Sequence, residues 1–303
     1  MNKRWVKTPA HLALIAANII YGMNYSIAKE VIPVHIRPFA LLSLRSGIAA
    51  LLFWVTSLFM PKDSISRKDI FYICAVSVFG VVINQAFFLL GLALTSPINS
   101  SVILSTNPIF AFLFAALILK EKVTFLKGTG LAIGFAGVMM LILENGSPDP
   151  ASSTFVGDMF SLVNTVSWAL YTVLIKRMLE KYHPVTVMKW AFLPGVIVNI
   201  PIGYNQLSTT DWSAIPVNAW LQIGFVVVFA TYLGYLLISY GLRRVSPTIV
   251  SIYTYLQPVF AALLATMMGQ DTIIVVMIFS ATLIFAGVYV VSRQRNGDAG
   301  KQY

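Results

Sequence analysis

Charge is what this chain has least of. Only 11% of its 303 residues are Asp, Glu, Lys or Arg, against 58% hydrophobic ones, and its mean hydropathy is +0.80. A soluble domain carries about 25% charged residues, so the chain lacks the polar surface that would hold it in water and belongs in a bilayer. Cysteine is scarcer still: Cys74 stands alone in an apolar run, which excludes disulfides. His11, His35 and His183 are the only histidines, none paired at helical spacing. No carboxylate dyad or serine with a neighbouring base falls inside an apolar stretch. These gaps leave an intramembrane enzyme little chemistry to work with, and no metal or cofactor is expected. The carboxylates Glu30, Glu144, Asp158 and Asp271 all fall near the ends of apolar stretches. Proton-driven exporters of cationic drugs use a buried Asp or Glu, and that mechanism is therefore disfavoured.

What is present is apolar sequence in long pieces. A helix needs about 20 mostly apolar residues to cross the hydrocarbon core. Ten stretches qualify: Ala10–Lys29, Pro38–Phe59, Asp69–Leu92, Pro97–Leu119, Phe125–Leu143, Gly157–Arg177, Pro184–Tyr204, Val217–Leu242, Pro247–Gly269 and Thr272–Ser292. They are continuously apolar instead of alternating, which argues for helices over strands. The basic Met1–Pro9 lead imitates a signal peptide, but no clear small-residue cleavage site follows, so the first stretch reads as a retained span. The longest breaks, Glu144–Val156 and Asn205–Pro216, leave no room for a soluble domain.

The net charge of +10 is explained by its placement. Alternate connections carry Lys3, Arg4, Lys7, Lys62, Arg67, Lys68, Lys120, Lys122, Lys127, Lys176, Arg177, Lys181, Arg243, Arg244, Arg293, Arg295 and Lys301, while the other set carries only Lys29 and Arg37. That is 17 against 2, a positive-inside signal that places both termini in the cytoplasm of a multi-pass protein of the inner (plasma) membrane. Basic charge here orients the chain and meets anionic lipid; nucleic acid is not an expected partner.

The chain is also written twice. Laid over Gly241–Val288 at a shift of 150 residues, Gly91–Val138 is identical at 14 of 48 positions, among them Pro97/Pro247, Pro108/Pro258 and the closing Phe-Ala-Gly-Val. Two repeats, 1–147 and 148–303, then hold five spans each. An odd number forces the second to enter the membrane from the opposite side. The expected fold is an all-α integral membrane protein of ten transmembrane helices in two inverted five-helix repeats.

Ten spans in this plan, with a proline central to each half's fourth span and Ala-Gly-Val ending its fifth, resemble the EamA-type branch of the drug/metabolite transporter superfamily. The run from Gln257 to Ala265 is the closest match, Asn107–Leu113 is its counterpart, and Arg45 soon after Pro38 is similar to the family pattern. The resemblance covers nearly the whole chain. It implies transport of amino acids, other metabolites or drugs, often by export. The family often has a Glu before the ninth-span proline and a Gly-Glu closing that helix; this chain has Gln257 and Gly269-Gln270-Asp271 instead.

Two cations sit inside spans, Arg45 and Lys189. An intramembrane charge faces a partner or a wet cavity, or snorkels to the headgroups; the shallower Lys189 suits the second, and Arg45 either lines a cavity or caps helix carbonyls. Amides and aromatics form stripes: Asn18, Tyr21 and Tyr25 with Asn24 beside them, Asn84 and Phe88, Asn164, Trp168 and Tyr171, Thr231, Tyr235 and Ser239, and Ser251 and Tyr255 with Gln257 adjoining. Such groups avoid lipid at mid-depth, so they point inward, either as interhelical glue or as cavity wall. The candidate substrate-binding set is Arg45, Tyr21, Asn24, Asn84, Trp168, Tyr171, Tyr235, Tyr255 and Gln257. Pro108 and Pro258 break their helices mid-span and are candidate hinges. Gly130, Gly134 and Gly137 form a small-residue ridge for close packing or for a homodimer. The reading is a secondary transporter of small metabolites, amino acids or similar, exporting by alternating access through a cavity between the repeats. A multidrug or other-solute exporter, a channel or an intramembrane enzyme are the alternatives.

Overall fold

A computed structural model describes residues 8–60, 63–119, 129–130, 132–134, 136–137, 140, 153–272 and 274–293. Among these residues every regular element is helical. The helices are α1 (Thr8–Val31), α2 (Pro38–Leu58), α3 (Arg67–Leu94), α4 (Pro97–Leu104 and Asn107–Leu119), α5 (Ser153–Lys181), α6 (Pro184–Ser208), α7 (Val217–Arg244), α8 (Pro247–Ile252 and Leu256–Met267) and α9 (Val275–Arg293). The expected fifth span, Phe125–Leu143, falls largely outside the described residues, as do most of the basic residues of the two termini and of 120–128.

Seven of these helices, α2 to α8, are long and apolar enough to cross a membrane. α1 has 24 residues but is not among them, for a physical reason: its polar residues are turned inward. Asn18, Asn24 and Ser26 are all buried. A helix sheltered by other helices has no need of an apolar circumference. The outward faces, by contrast, are apolar: Leu58, Phe71 and Val217 are each more than 70% exposed, which only a lipid environment makes inexpensive.

Helix starts follow local chemistry. Pro38, Pro97, Pro184 and Pro247 stand in first turns, where the missing N–H costs nothing. Ser66, Ser96 and Ser246 accept from the backbone N–H groups of Asp69, Asn99 and Ile249. Small residues then set the packing. α2 lies along α6, and a Cβ on Gly203 would sit 2.2 Å from the Phe39 carbonyl oxygen. The Asn199 Nδ2 donates to Ser46 Oγ at 2.8 Å, and Ser43 Oγ to the Asn199 carbonyl at 3.0 Å. The glycine ridge is spent inside the chain: a Cβ on Gly287 of α9 would lie 2.5 Å from the Gly130 carbonyl, and one on Gly137 2.8 Å from the Ser280 carbonyl. A shift of 150 turns either pair into the other.

The same shift relates other devices. α3 carries a π-helical stretch at Val78–Ile83 and α7 one at Phe225–Leu233, each closing one residue before the helix resumes, at Asn84 and Gly234. α4 is interrupted at Ser105 and Thr106, before Pro108, and α8 by a 3-10 turn at Tyr253–Tyr255, before Pro258. Two residues off that register, the hydroxyls of Thr106 and Thr254 donate back three residues, to Ile103 and Ser251, at 2.7 and 2.6 Å. At one end of the bundle Lys29 Nζ donates to the carbonyls of Leu92 (2.8 Å) and Thr95 (2.9 Å), capping α3; at the other, Lys176 Nζ donates to Leu242 (2.5 Å), capping α7.

Candidate functional site

Where α1, α2, α3, α5 and α7 converge, with Gln257 of α8 and Leu104 of α4 closing the sides, lies a cavity holding about 460 Å³ of empty space, its mouth included. Of the nine residues expected at the site, seven line it: Tyr21, Asn24, Arg45, Asn84, Trp168, Tyr235 and Gln257. Tyr25, Phe88 and Asn164, members of the same stripes, line it as well. Leu104 is the one wall residue with no signal in the sequence, since an apolar side chain in an apolar helix stands out in no way.

The structure places Tyr171 and Tyr255 elsewhere. Tyr171 is buried behind the wall, its ring filling the space beside Gly80, where a Cβ would come within 2.4 Å of it, and its hydroxyl reaching Met188. Tyr255 turns toward α9 and meets the Phe285 ring edge-on at 5.0 Å. Helical spacing put both in the right stripes, but a stripe about 100° wide has an edge, and these two residues fall past it.

Arg45 is buried within the bundle and salt-bridged to nothing among the described residues. Its Nε donates to Thr231 Oγ1 at 2.8 Å, and its guanidinium carbon lies 5.5 Å from the centre of the Phe88 ring. Its Nη1 is buried and has no hydrogen-bond partner among the described residues; the same holds for Tyr21 Oη and Asn24 Oδ1. Lys189, the other span cation, is only half-buried and rests over the rings of Trp54 and Trp190, at 5.1 and 5.7 Å.

The remaining polar groups of the wall are engaged with one another. Asn84 Nδ2 donates to the Asn164 carbonyl at 3.1 Å and Asn164 Nδ2 to the Asn84 carbonyl at 2.8 Å, a reciprocal clasp of α3 to α5. Gln257 Nε2 donates to Asn18 Oδ1 at 2.7 Å. Tyr235 Oη donates to the Gly80 carbonyl at 2.6 Å, within the π-helical stretch of α3, and accepts from Gln85 Nε2 at 3.2 Å. Gln85 and Tyr235 are themselves 150 residues apart. The aromatic wall is built from edge contacts: Tyr25 with Phe88 (5.2 Å), Tyr21 with Trp168 (6.4 Å) and Trp168 with Tyr235 (5.3 Å). Asp158 lies near the start of α5, as the sequence reading has it, and is fully buried there, accepting from Thr95 Oγ1 at 2.5 Å.

Comparison with known proteins agrees with this architecture. A sequence model described as the EamA-like transporter family matches residues 8–143 and 155–293. An uncharacterized transporter of Bacillus subtilis, YyaM, is 27% identical over 286 residues, covering 93% of each chain. An uncharacterized transporter of Archaeoglobus fulgidus is 28% identical over 293 residues, covering 97% of this chain and all of its own. A solved crystal structure shares the fold with a TM-score of 0.67 at 18% identity, over 96% of this chain and 98% of that one.

Proposed function

Because the chain belongs to the EamA-like transporter family, it is a membrane transporter, and we propose that it exports a small carboxylate-bearing metabolite, an amino acid or close analogue, as a secondary transporter. One observation carries this reading: Arg45 Nη1 is a buried cationic donor with no partner, on a cavity lined by no carboxylate among the described residues. A buried charged donor left unpaired is costly, and a solute carboxylate is the group that would satisfy it. Tyr21 Oη can add a second donor, and Asn24 Oδ1 offers an acceptor to an ammonium group. The rings of Tyr25, Phe88 and Trp168 suit an apolar side chain.

Transport then proceeds by alternating access. The two halves, inverted relative to one another and with both termini cytoplasmic, rock about the bound solute while α4 and α8 flex at their interrupted turns beside Pro108 and Pro258. The aromatic walls favour a second reading, export of amphipathic drugs, in which Arg45 contributes less. Flux in proteoliposomes with a panel of amino acids and their carboxamides separates the two. The expected result is that Arg45→Ala lowers carboxylate uptake by about tenfold or more, the scale of one lost charged hydrogen bond, and leaves carboxamides nearly unchanged. Undiminished carboxylate uptake by the variant would sink the anchor role. Counterflow under an imposed pH gradient tests whether the flux is coupled to protons.

A further inference from the structure

Thr231 bonds in a way that Thr165 and Thr172 do not. In straight helix, Thr165 and Thr172 donate to carbonyls four and three residues back, at Ser161 and Ala169, the usual reach of a helical threonine. Thr231 Oγ1 donates five residues back, to the Val226 carbonyl at 2.7 Å, inside the π-helical stretch of α7. With its proton committed there, the oxygen can only accept, and what it accepts is Arg45 Nε at 2.8 Å. The residue is fully buried, so no solvent competes for either bond. An arginine held at Nε is fixed about its last side-chain torsions, and the plane of its guanidinium follows. Arg45 Nη1 is a donor with no partner among the described residues.

We propose that Thr231 is the positioning residue that aims Arg45 into the cavity and so sets the preference for a carboxylate group, and that the π-helical winding of α7 is what places its hydroxyl to do so. The proposal rests on Arg45 being the solute anchor. Thr231 itself touches no solute. Its contribution is orientation: with the bond intact the guanidinium meets an incoming carboxylate in one pose, and without it the side chain samples several poses and binding is weaker.

The test uses the full-length chain in nanodiscs and proteoliposomes, with L-phenylalanine and L-phenylalaninamide as probes. In 15N-arginine-labelled protein, with the Arg45 signal assigned by Arg45→Lys, hydrogen exchange at Nε reads the Thr231 bond directly. For Thr231→Val, exchange at Arg45 Nε speeds up and KM for phenylalanine rises, each by about tenfold, with kcat within about twofold of wild type, as expected for one lost bond to a charged group. Thr231→Ser restores both. If the valine variant does not fold, Thr231→Cys takes its place. Unchanged exchange at Nε, or equal losses of KM and kcat that serine does not rescue, overturns the proposal. A wild-type protein that treats acid and amide alike instead defeats the anchor reading of Arg45, and Nε exchange still decides whether Thr231 holds it.

Discussion

Asn84 and Asn164 show how much of a membrane bundle's specificity rests on single amides. Each side chain donates to the other residue's backbone carbonyl, so two helices are joined by two bonds that fit only one register. Interhelical hydrogen bonds in membranes average about 0.6 kcal/mol and reach about 1.7, because the alternative state also finds partners. Since both Asn84 and Asn164 are buried here, Asn84→Ala and Asn164→Ala are each expected to cost about 1 kcal/mol, read as a drop in thermal midpoint in detergent or nanodiscs. A midpoint that does not move in either variant would show the clasp to be incidental. At this scale the sequence was informative about identity and less so about direction. Asn84 and Tyr235 stood out because amides and phenols are poorly tolerated facing lipid, and Trp168 because it shares a helical stripe with Asn164. Whether a stripe member reaches the cavity, as Trp168 does, or backs it, as Tyr171 does, depends on helix rotation of a few tens of degrees, which composition does not encode.

Helix boundaries were largely legible, since proline at first turns and serine caps are local chemistry: α2 and α4 begin at the residues expected, Pro38 and Pro97. The π-helical stretches in α3 and α7 were not. Val78–Ile83 is uniformly apolar and Phe225–Leu233 carries only Thr231 and Tyr232 as polar marks, and a pattern that sparse does not reveal the wider winding of a π-helix. One cap makes an element sensitive to pH. His183 Nδ1 accepts the Val185 N–H at 3.3 Å at the start of α6, which requires a neutral ring. Burial, and next the Arg243 charge, hold its pKa below the ordinary value of 6.5. The folded state thus prefers the neutral form, so the stabilisation is complete above pH 6.5 and is lost as pH falls through the lower folded value. Thermal stability should decline slightly on acidification below that point, the effect being small because the ring is only partly buried. His183→Asn, which caps without titrating, should remove that part of the slope; an identical slope in the variant rules the cap out as its source.

For the whole molecule, the helical membrane architecture was readable from hydropathy and length, while the arrangement that buries α1 was not: its polar residues looked like cavity candidates and proved also to be the reason it fails as an apolar span. The fifth span lies mostly outside the described residues. Orientation is open to a direct test. Connections at Ser64 and Ser208 belong to opposite ends of the bundle, and both residues are exposed. In a Cys74→Ser background, a membrane-impermeant maleimide added to intact cells is expected to label Ser208→Cys and to spare Ser64→Cys. The reverse pattern would invert the assignment drawn from the basic residues.

The hydrogen bond between Gln85 and Tyr235 has a consequence of its own. A residue meets its own counterpart only where two equivalent units face each other, and two separate copies of one gene would have to place the same side chain on both sides of that seam. Joined in a single chain, the two sides are free to diverge: amide against phenol, and one guanidinium without a twin. A homodimer can offer its central chamber charges only in pairs. Among the described residues lining the cavity this chain offers one, Arg45, the number that the proposed carboxylate solute would need.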